Sequence, residues 1–280
     1  MNWHSYHLFI HDQACHDLFL KEYLKKFLDK EKGLISKFFF IRYWQGGPHI
    51  RFRFQSHNPE KVLRKLKIVF ADFLKNYNPS YRLKKEQYYH NHTFDGELPD
   101  EEDMYWVEDG QIVSIPYKPE YERYGGFDIM EVSETIFHHS SQLALQVIEQ
   151  INDPNVLTKI ILACDFFMLA ESQLAYSQRK ILNERYHSFW LHFAGESETP
   201  IEENLSKIKN AYKARVKKTA PLDLDIYHTF KKVLEEQIRH ATAIKPDVNI
   251  NHLIFSHIHM YNNRIGLPPY YENQIPVIIS

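Results

Sequence analysis

"ISKFFFIRYWQGGPHIRFRFQ", residues 35–55, decides how the chain begins to fold. Two runs rich in aromatic and branched side chains flank Gln45-Gly46-Gly47-Pro48, and such a pair around a Gly-rich turn reads as a β-hairpin. In a strand alternate side chains share a face. Ile50, Phe52 and Phe54 therefore point into a core, while His49, Arg51 and Arg53 point the other way. Two guanidiniums on one face repel unless an anion or carboxylates neutralise them. Arginine suits that task because it stays charged and grips a carboxylate with two parallel hydrogen bonds. A solvated face, ion-paired to the acidic segment 97–103, accounts for the same residues and weighs slightly more on the residues alone. The Gly46-Gly47-Pro48 turn tilts the balance a little towards a ligand, because glycine lets backbone approach something closely.

Outward from the hairpin, "WHSYHLFIH" (3–11) alternates like a strand, and residues 12–33 carry a helical apolar stripe stopped by Gly33. A second amphipathic helix covers 58–78, with Pro59 acceptable in its first turn, and "KEQYYHNHTF" (85–94) reads as a further strand. The order β-α-β-β-α-β is that of a split βαβ unit: an antiparallel sheet with helices on one face, the other left for a ligand or partner. Residues 95–118 turn acidic and then turn-rich, which predicts a loop with a short hairpin. From Ile129 the pattern is helical, with apolar stripes near 129–150, 154–173, 175–194, 201–217, 222–241 and 249–263. The expected fold is α+β: an N-terminal antiparallel sheet of split βαβ-like order with flanking helices, then a helical C-terminal half. Residues 1–125 would form the sheet region and 126–280 the helical region, working as one compact functional unit.

The 280 residues suffice for a sizeable core, and 44% hydrophobic with 25% charged residues is ordinary globular composition. A formal net charge of −2 provides no global attraction for nucleic acid or an anionic membrane, so any anion site must be local. Two cysteines, Cys15 and Cys164, form no metal or redox motif. The N-terminus lacks the basic segment and apolar run of a signal peptide, and no apolar stretch is long enough to span a membrane. A cytoplasmic location is expected.

Two further segments carry candidate chemistry. In "YKPEYERYGGFDIMEVSETIFHHSS" (117–141) a second Gly-Gly pair follows Arg123 and Tyr124 just before a helix. Peptide N–H groups there could face an anion; a plain turn with Glu120 and Glu122 pairing locally explains the segment as well. In "FSHIHMYNNRIG" (255–266), His259 and Asn263 share a helical stripe with His252 and Ser256, and imidazole is the group best suited to moving protons near neutral pH. A lone helical histidine is more often a satisfied surface or core residue. The pairs His90/His92 and His257/His259 lack ligand spacing, so neither a metal nor another cofactor is expected.

Taken in this order, "RYWQGGPHIRFRF" (42–54), "YKPEYERYGG" (117–126) with Glu134 and Phe137 ahead of Ser140, and "SHIHMYNNRIG" (256–266) resemble the thiopeptide-type bacteriocin biosynthesis family. This is the C-terminal elimination domain of class I lantibiotic dehydratases, here expected as a free-standing chain. The resemblance implies a lyase acting on a precursor peptide whose Ser or Thr hydroxyls have been esterified by glutamate. Such a lyase removes the Cα proton and expels glutamate to leave dehydroalanine or dehydrobutyrine. It implies Arg51, Arg53, Arg123 and His259 as functional residues, with His257 a weaker candidate, and His49, Tyr124 and Asn263 as substrate contacts. The implied partners are the precursor peptide, leader and glutamylated core, and a separate glutamylating dehydratase component. A homodimer would suit a split enzyme, and no direct nucleic-acid contact is expected. Two alternatives stand beside elimination: a pyridine-forming cyclase of thiopeptide biosynthesis, and a non-catalytic subunit that binds the precursor by adding it as a strand to the sheet edge.

Overall fold

A computed structural model describes residues 1–90, 104–151, 155–194 and 205–280. They fall into two units, Met1–Lys118 and Pro119–Ser280.

The first unit holds four strands: β1 (Trp3–Phe9), β2 (Lys37–Tyr43), β3 (His49–Gln55) and β4 (Ile112–Ser114). They lie in the order β2-β3-β1-β4, and every neighbouring pair is antiparallel. This is the split βαβ arrangement that the β-α-β-β-α order predicts. Between β1 and β2 runs α1 (Ala14–Phe19), a π-helical segment (Leu20–Leu24) and α2 (Lys25–Lys30); α3 (Pro59–Asn76) follows β3. Asn58 starts α3, its side chain accepting the Lys61 N–H at 3.1 Å. The sheet face bearing Leu8, Phe40, Ile50, Phe52 and Phe54 is buried, and a buried apolar side chain of this size contributes about 1.5–3 kcal/mol. From the helices Phe19 meets Phe70 and Phe73 edge to face at 5.6 and 5.1 Å. Asp17 of α1 pairs with Arg42 at the margin of that face.

Residues 85–90 depart from the sequence expectation. They form a short helix, α4 (Lys85–His90), not a strand, and residues 91–94 lie outside the described residues. Strands bury alternate positions, whereas here the adjacent Tyr88 and Tyr89 are both buried, against Trp44, Leu83, Met104 and Trp106. Their hydroxyls donate to the carbonyls of Trp44 and Tyr105. The fourth strand comes instead from β4, which adds to the free edge of β1 through the register Tyr6↔Ser114, His7↔Val113 and Leu8↔Ile112. Among the described residues of 95–118 there is therefore an added edge strand in place of a hairpin.

The second unit is helical. It comprises α5 (Met130–Gln150), α6 (Val156–Glu171), α7 (Tyr176–Ala194), α8 (Leu205–Lys218), α9 (Asp225–Ile244), α10 (Ile250–Ile265) and α11 (Gln274–Ile279). The apolar α6 is its centre, with Ile160, Ala163, Cys164, Phe166, Phe167 and Leu169 fully buried. Phe166 stacks on Tyr261 of α10 at 3.9 Å and on Phe230 of α9 at 5.2 Å. Asn249 caps the start of α10 by accepting the His252 N–H. Gly266, with φ +75°, ends it, and Leu267 N–H returns to the Asn262 carbonyl at 2.9 Å.

Candidate functional site

In the first unit, β3 sets His49, Arg51 and Arg53 on the sheet face opposite Ile50, Phe52 and Phe54, as alternation requires. The register surrounds them: Arg53 lies between Ser5 and Phe39, Arg51 between His7 and Ile41, His49 between Phe9 and Tyr43. The face is partly closed: His7 and His49 are buried and Arg53 is 9% exposed, while Arg51 is half-buried. The guanidinium of Arg51 sits 3.3 Å from the Tyr43 ring centroid, and that of Arg53 lies 4.6 Å from Tyr117 and 5.2 Å from Phe39. Aromatic faces attract cations, so these rings hold the two guanidiniums in place. Arg51 Nε also donates to His49 Nε2 at 3.4 Å, while His49 Nδ1 meets the Gly47 carbonyl at 2.8 Å.

Burial, and after it the neighbouring His49, Arg51 and Arg53, pushes the His7 imidazole from its ordinary 6.5 down to about 2. Burial likewise takes His49 to about 3. Near neutral pH this face therefore carries fixed guanidinium charge beside neutral, stacked imidazoles 4.8 Å apart. The acidic segment 97–103, expected to pair with the arginines, lies outside the described residues.

The Gly-Gly turn serves packing. Gly46 and Gly47 have φ +85° and +109°. A Cβ on Gly46 would run into the Tyr105 ring, and one on Gly47 would stand 2.7 Å from His11 Nε2. What the backbone approaches closely is thus the chain's own side chains.

In the second unit the Arg123 turn is held locally. Arg123 pairs with Glu120 at 3.2 Å, and its guanidinium lies 5.7 Å from the Tyr124 ring. Gly125 and Gly126 N–H groups donate to the carbonyls of Glu122 and Tyr121, so they close the turn and do not face an anion. A cleft of about 560 Å³ opens at this turn, lined by Glu122, Gly125, Gly126, Lys245, Asn249 and His252 among others. Tyr124 is buried against Phe137 and His257, at 4.7 and 5.4 Å. His257 is itself buried, and burial, with Arg264 and Arg123 beside it, lowers its imidazole to about 3. It is a neutral core residue at physiological pH.

His259, two residues on, has different surroundings. Its side chain is 17% exposed, and its Nδ1 lies 2.7 Å from Glu272 Oε1. Its ring stacks on Trp190 of α7 at 4.6 Å and 30°. Glu272 is fully buried and accepts from Asn262 Nδ2 at 2.9 Å and from the Tyr186 hydroxyl. Asn263 is half-buried at the end of α10, its carbonyl accepting the Gly266 N–H at 3.0 Å.

The sequence reasoning missed Glu272, Tyr186, Asn262 and Trp190. One signal was available: Glu272 is the only charged side chain between Leu267 and Ser280. An isolated acid in an apolar stretch must find buried partners. Among the described residues no group of three or more His, Cys, Asp or Glu side chains is placed to hold a metal ion. His92 lies outside them. No described helix is long and apolar enough to cross a membrane.

Comparison with known proteins adds the family. Residues 3–277 match the family described as lantibiotic biosynthesis dehydratase, C-terminal. The tRNA-dependent lantibiotic dehydratase MibB from Microbispora sp. 107891 shares the fold at TM-score 0.64 and 16% identity, over 99% of this chain. This chain spans only 27% of MibB. TbtD, a pyridine synthase from thiomuracin biosynthesis, matches at TM-score 0.70 and 14% identity, covering 100% of this chain and 96% of its own. TsrL matches at TM-score 0.62 and 16% identity, over 99% and 93% of the two chains. No curated protein matches.

Proposed function

Because the chain belongs to the C-terminal lantibiotic biosynthesis dehydratase family, we propose that it eliminates glutamate from glutamylated Ser or Thr residues of a ribosomal precursor peptide. The observation that carries this reading is the row of Arg51 and Arg53 on one face of β3, held by aromatic rings beside neutral His7 and His49. Elimination expels a carboxylate, and fixed cations stabilise negative charge as it develops.

The chemistry balances without a cofactor. A base takes the Cα proton, the C–H electron pair becomes the Cα=Cβ bond, and the Cβ–O bond breaks to release glutamate as a carboxylate. Arginine cannot act as that base because it does not give up its proton. His259 is assigned the proton transfer, and Arg51, Arg53 and Arg123 the negative charge of the enolate-like transition state and the leaving group. One well-placed donor of this kind lowers the barrier by about 3–4 kcal/mol. The precursor peptide and a glutamylating component are the proposed partners.

A second reading, cycloaddition to a pyridine, draws on the near-full-length likeness to TbtD. At 14% identity that likeness concerns the fold, and a cycloaddition has no glutamate to hold. The test is mass spectrometry of a glutamylated Ser/Thr peptide incubated with this protein alone. Loss of one glutamic acid per modified site, abolished by Arg53→Ala, is expected. A glutamylated peptide that survives unchanged refutes elimination, and tight binding without turnover indicates a presenting subunit.

A further inference from the structure

We propose that Glu272 is the positioning residue of the reaction: it fixes the His259 tautomer and thereby makes Nε2 the proton-accepting atom. The inference rests on the elimination reading for its function but not for its geometry.

The geometry places a hydrogen on Nδ1. Glu272 is fully buried, and three groups approach its carboxyl: His259 Nδ1 at Oε1, Asn262 Nδ2 at Oε2, and the Tyr186 hydroxyl at Oε2. The amide and the phenol are both donors here. Burial, with Glu272 next to it, pushes the Tyr186 hydroxyl well above its ordinary value of 10.0, so it keeps its proton. With two donors on Oε2, the carboxyl group presents its other oxygen to Nδ1 as an acceptor. Nδ1 must then carry the hydrogen. In the neutral imidazole that is the single N–H, and the lone pair then sits at Nε2. Stacking on Trp190 at 4.6 Å fixes the ring plane, leaving no need for reorientation as the proton moves. Asn262 stands one helical turn after His259 on α10, whereas Tyr186 comes from α7 and Glu272 from the segment before α11. The acid is thus held by several elements of the same unit.

The arrangement predicts an unusual effect for Glu272→Gln. Two donors converge on the Oε2 position, so the new amide must turn its oxygen there and its NH2 group towards His259. Nδ1 can then only accept, and the ring is forced into the opposite tautomer. Nε2 becomes a donor and can no longer take a proton.

The experiment is side-chain 15N NMR of the full chain labelled at histidine, with His259→Asn identifying the signal. Wild-type protein is expected in the Nδ1–H form and Glu272→Gln in the Nε2–H form. For the variant, kcat on a glutamylated peptide should fall on the order of 10⁴-fold, as when the orienting carboxylate of a Ser-His-Asp triad becomes an amide. KM should be little changed. A wild-type His259 in the Nε2–H form overturns the proposal without any variant. So does a Glu272→Gln protein with wild-type kcat. An Nδ1–H wild type that switches in Glu272→Gln, yet eliminates nothing in either form, supports the positioning geometry and removes only the elimination reading.

Discussion

Replacing Gly47 by alanine separates a packing role for the Gly-Gly turn from a ligand-binding one. At φ +109° an L side chain is strained, which costs about 1–3 kcal/mol. The new methyl would also stand 2.7 Å from His11 Nε2, so the imidazole must shift. His11 bonds the Val107 carbonyl at 3.0 Å and lies against the Trp106 ring at 4.6 Å. Losing such a hydrogen bond costs about 1 kcal/mol. The expected total is about 2–4 kcal/mol, read by guanidinium denaturation with a far-UV and a tryptophan signal. His11→Ala should relieve the steric part, so that Gly47→Ala costs about 1 kcal/mol less in that background than alone. A loss below about 0.5 kcal/mol, or full additivity with His11→Ala, refutes the packing argument.

Other outcomes follow from the same contacts. Arg51→Lys keeps the charge but gives up the planar guanidinium seated 3.3 Å from the Tyr43 ring. Elimination should fall about 10²-fold or more, with an unchanged circular dichroism spectrum. Asp165→Ala strips the carboxylate that holds Arg215 and the Tyr212 hydroxyl. Breaking a fully buried pair costs about 3–5 kcal/mol, and because Arg215 remains 34% exposed the expected loss is about 2–3 kcal/mol. Stability should also fall on acidification. His16, His49 and His257 are lowered from 6.5 to about 3, and His7 to about 2, in each case chiefly by burial. Between pH 6.5 and those values the unfolded chain binds protons that the folded chain does not. The stability these groups contribute is therefore complete above 6.5 and is lost as pH drops through that window. Each group adds a slope of up to about 1.4 kcal/mol per pH unit. Urea denaturation at a series of pH values measures it, and a flat profile from pH 6.5 to 4 would contradict the neutral burial.

The sheet was legible because its strands state their period. Ile50, Phe52 and Phe54 alternate with His49, Arg51 and Arg53 after a turn only glycine readily adopts, and they pair with the aromatic run Phe38–Phe40 as that pattern requires. The segment 85–90 was not legible, since two adjacent tyrosines carry no period and a tertiary cluster decides their conformation. The fourth strand is three residues long and is specified by the open edge of β1, not by its own composition. The arginine row could be read from an i, i+2 spacing, whereas the burial of the histidines beside it could not. His259 was visible as a motif residue. Its partner Glu272 lies 13 positions away and reaches it through packing, to which local spacing is blind. The same limit applied to Gly46 and Gly47: the sequence announces a close approach, and only the fold identifies Tyr105 and His11 as what is approached.

The most direct measurement uses a glutamylated Ser peptide deuterated at Cα, incubated with this protein alone and followed by mass spectrometry. If the chain is the eliminating lyase, glutamate and the Cα deuterium leave together and a dehydroalanine remains. A peptide that keeps both its glutamyl group and its deuterium, while a dehydroalanine-containing peptide is converted to a pyridine, would contradict that function.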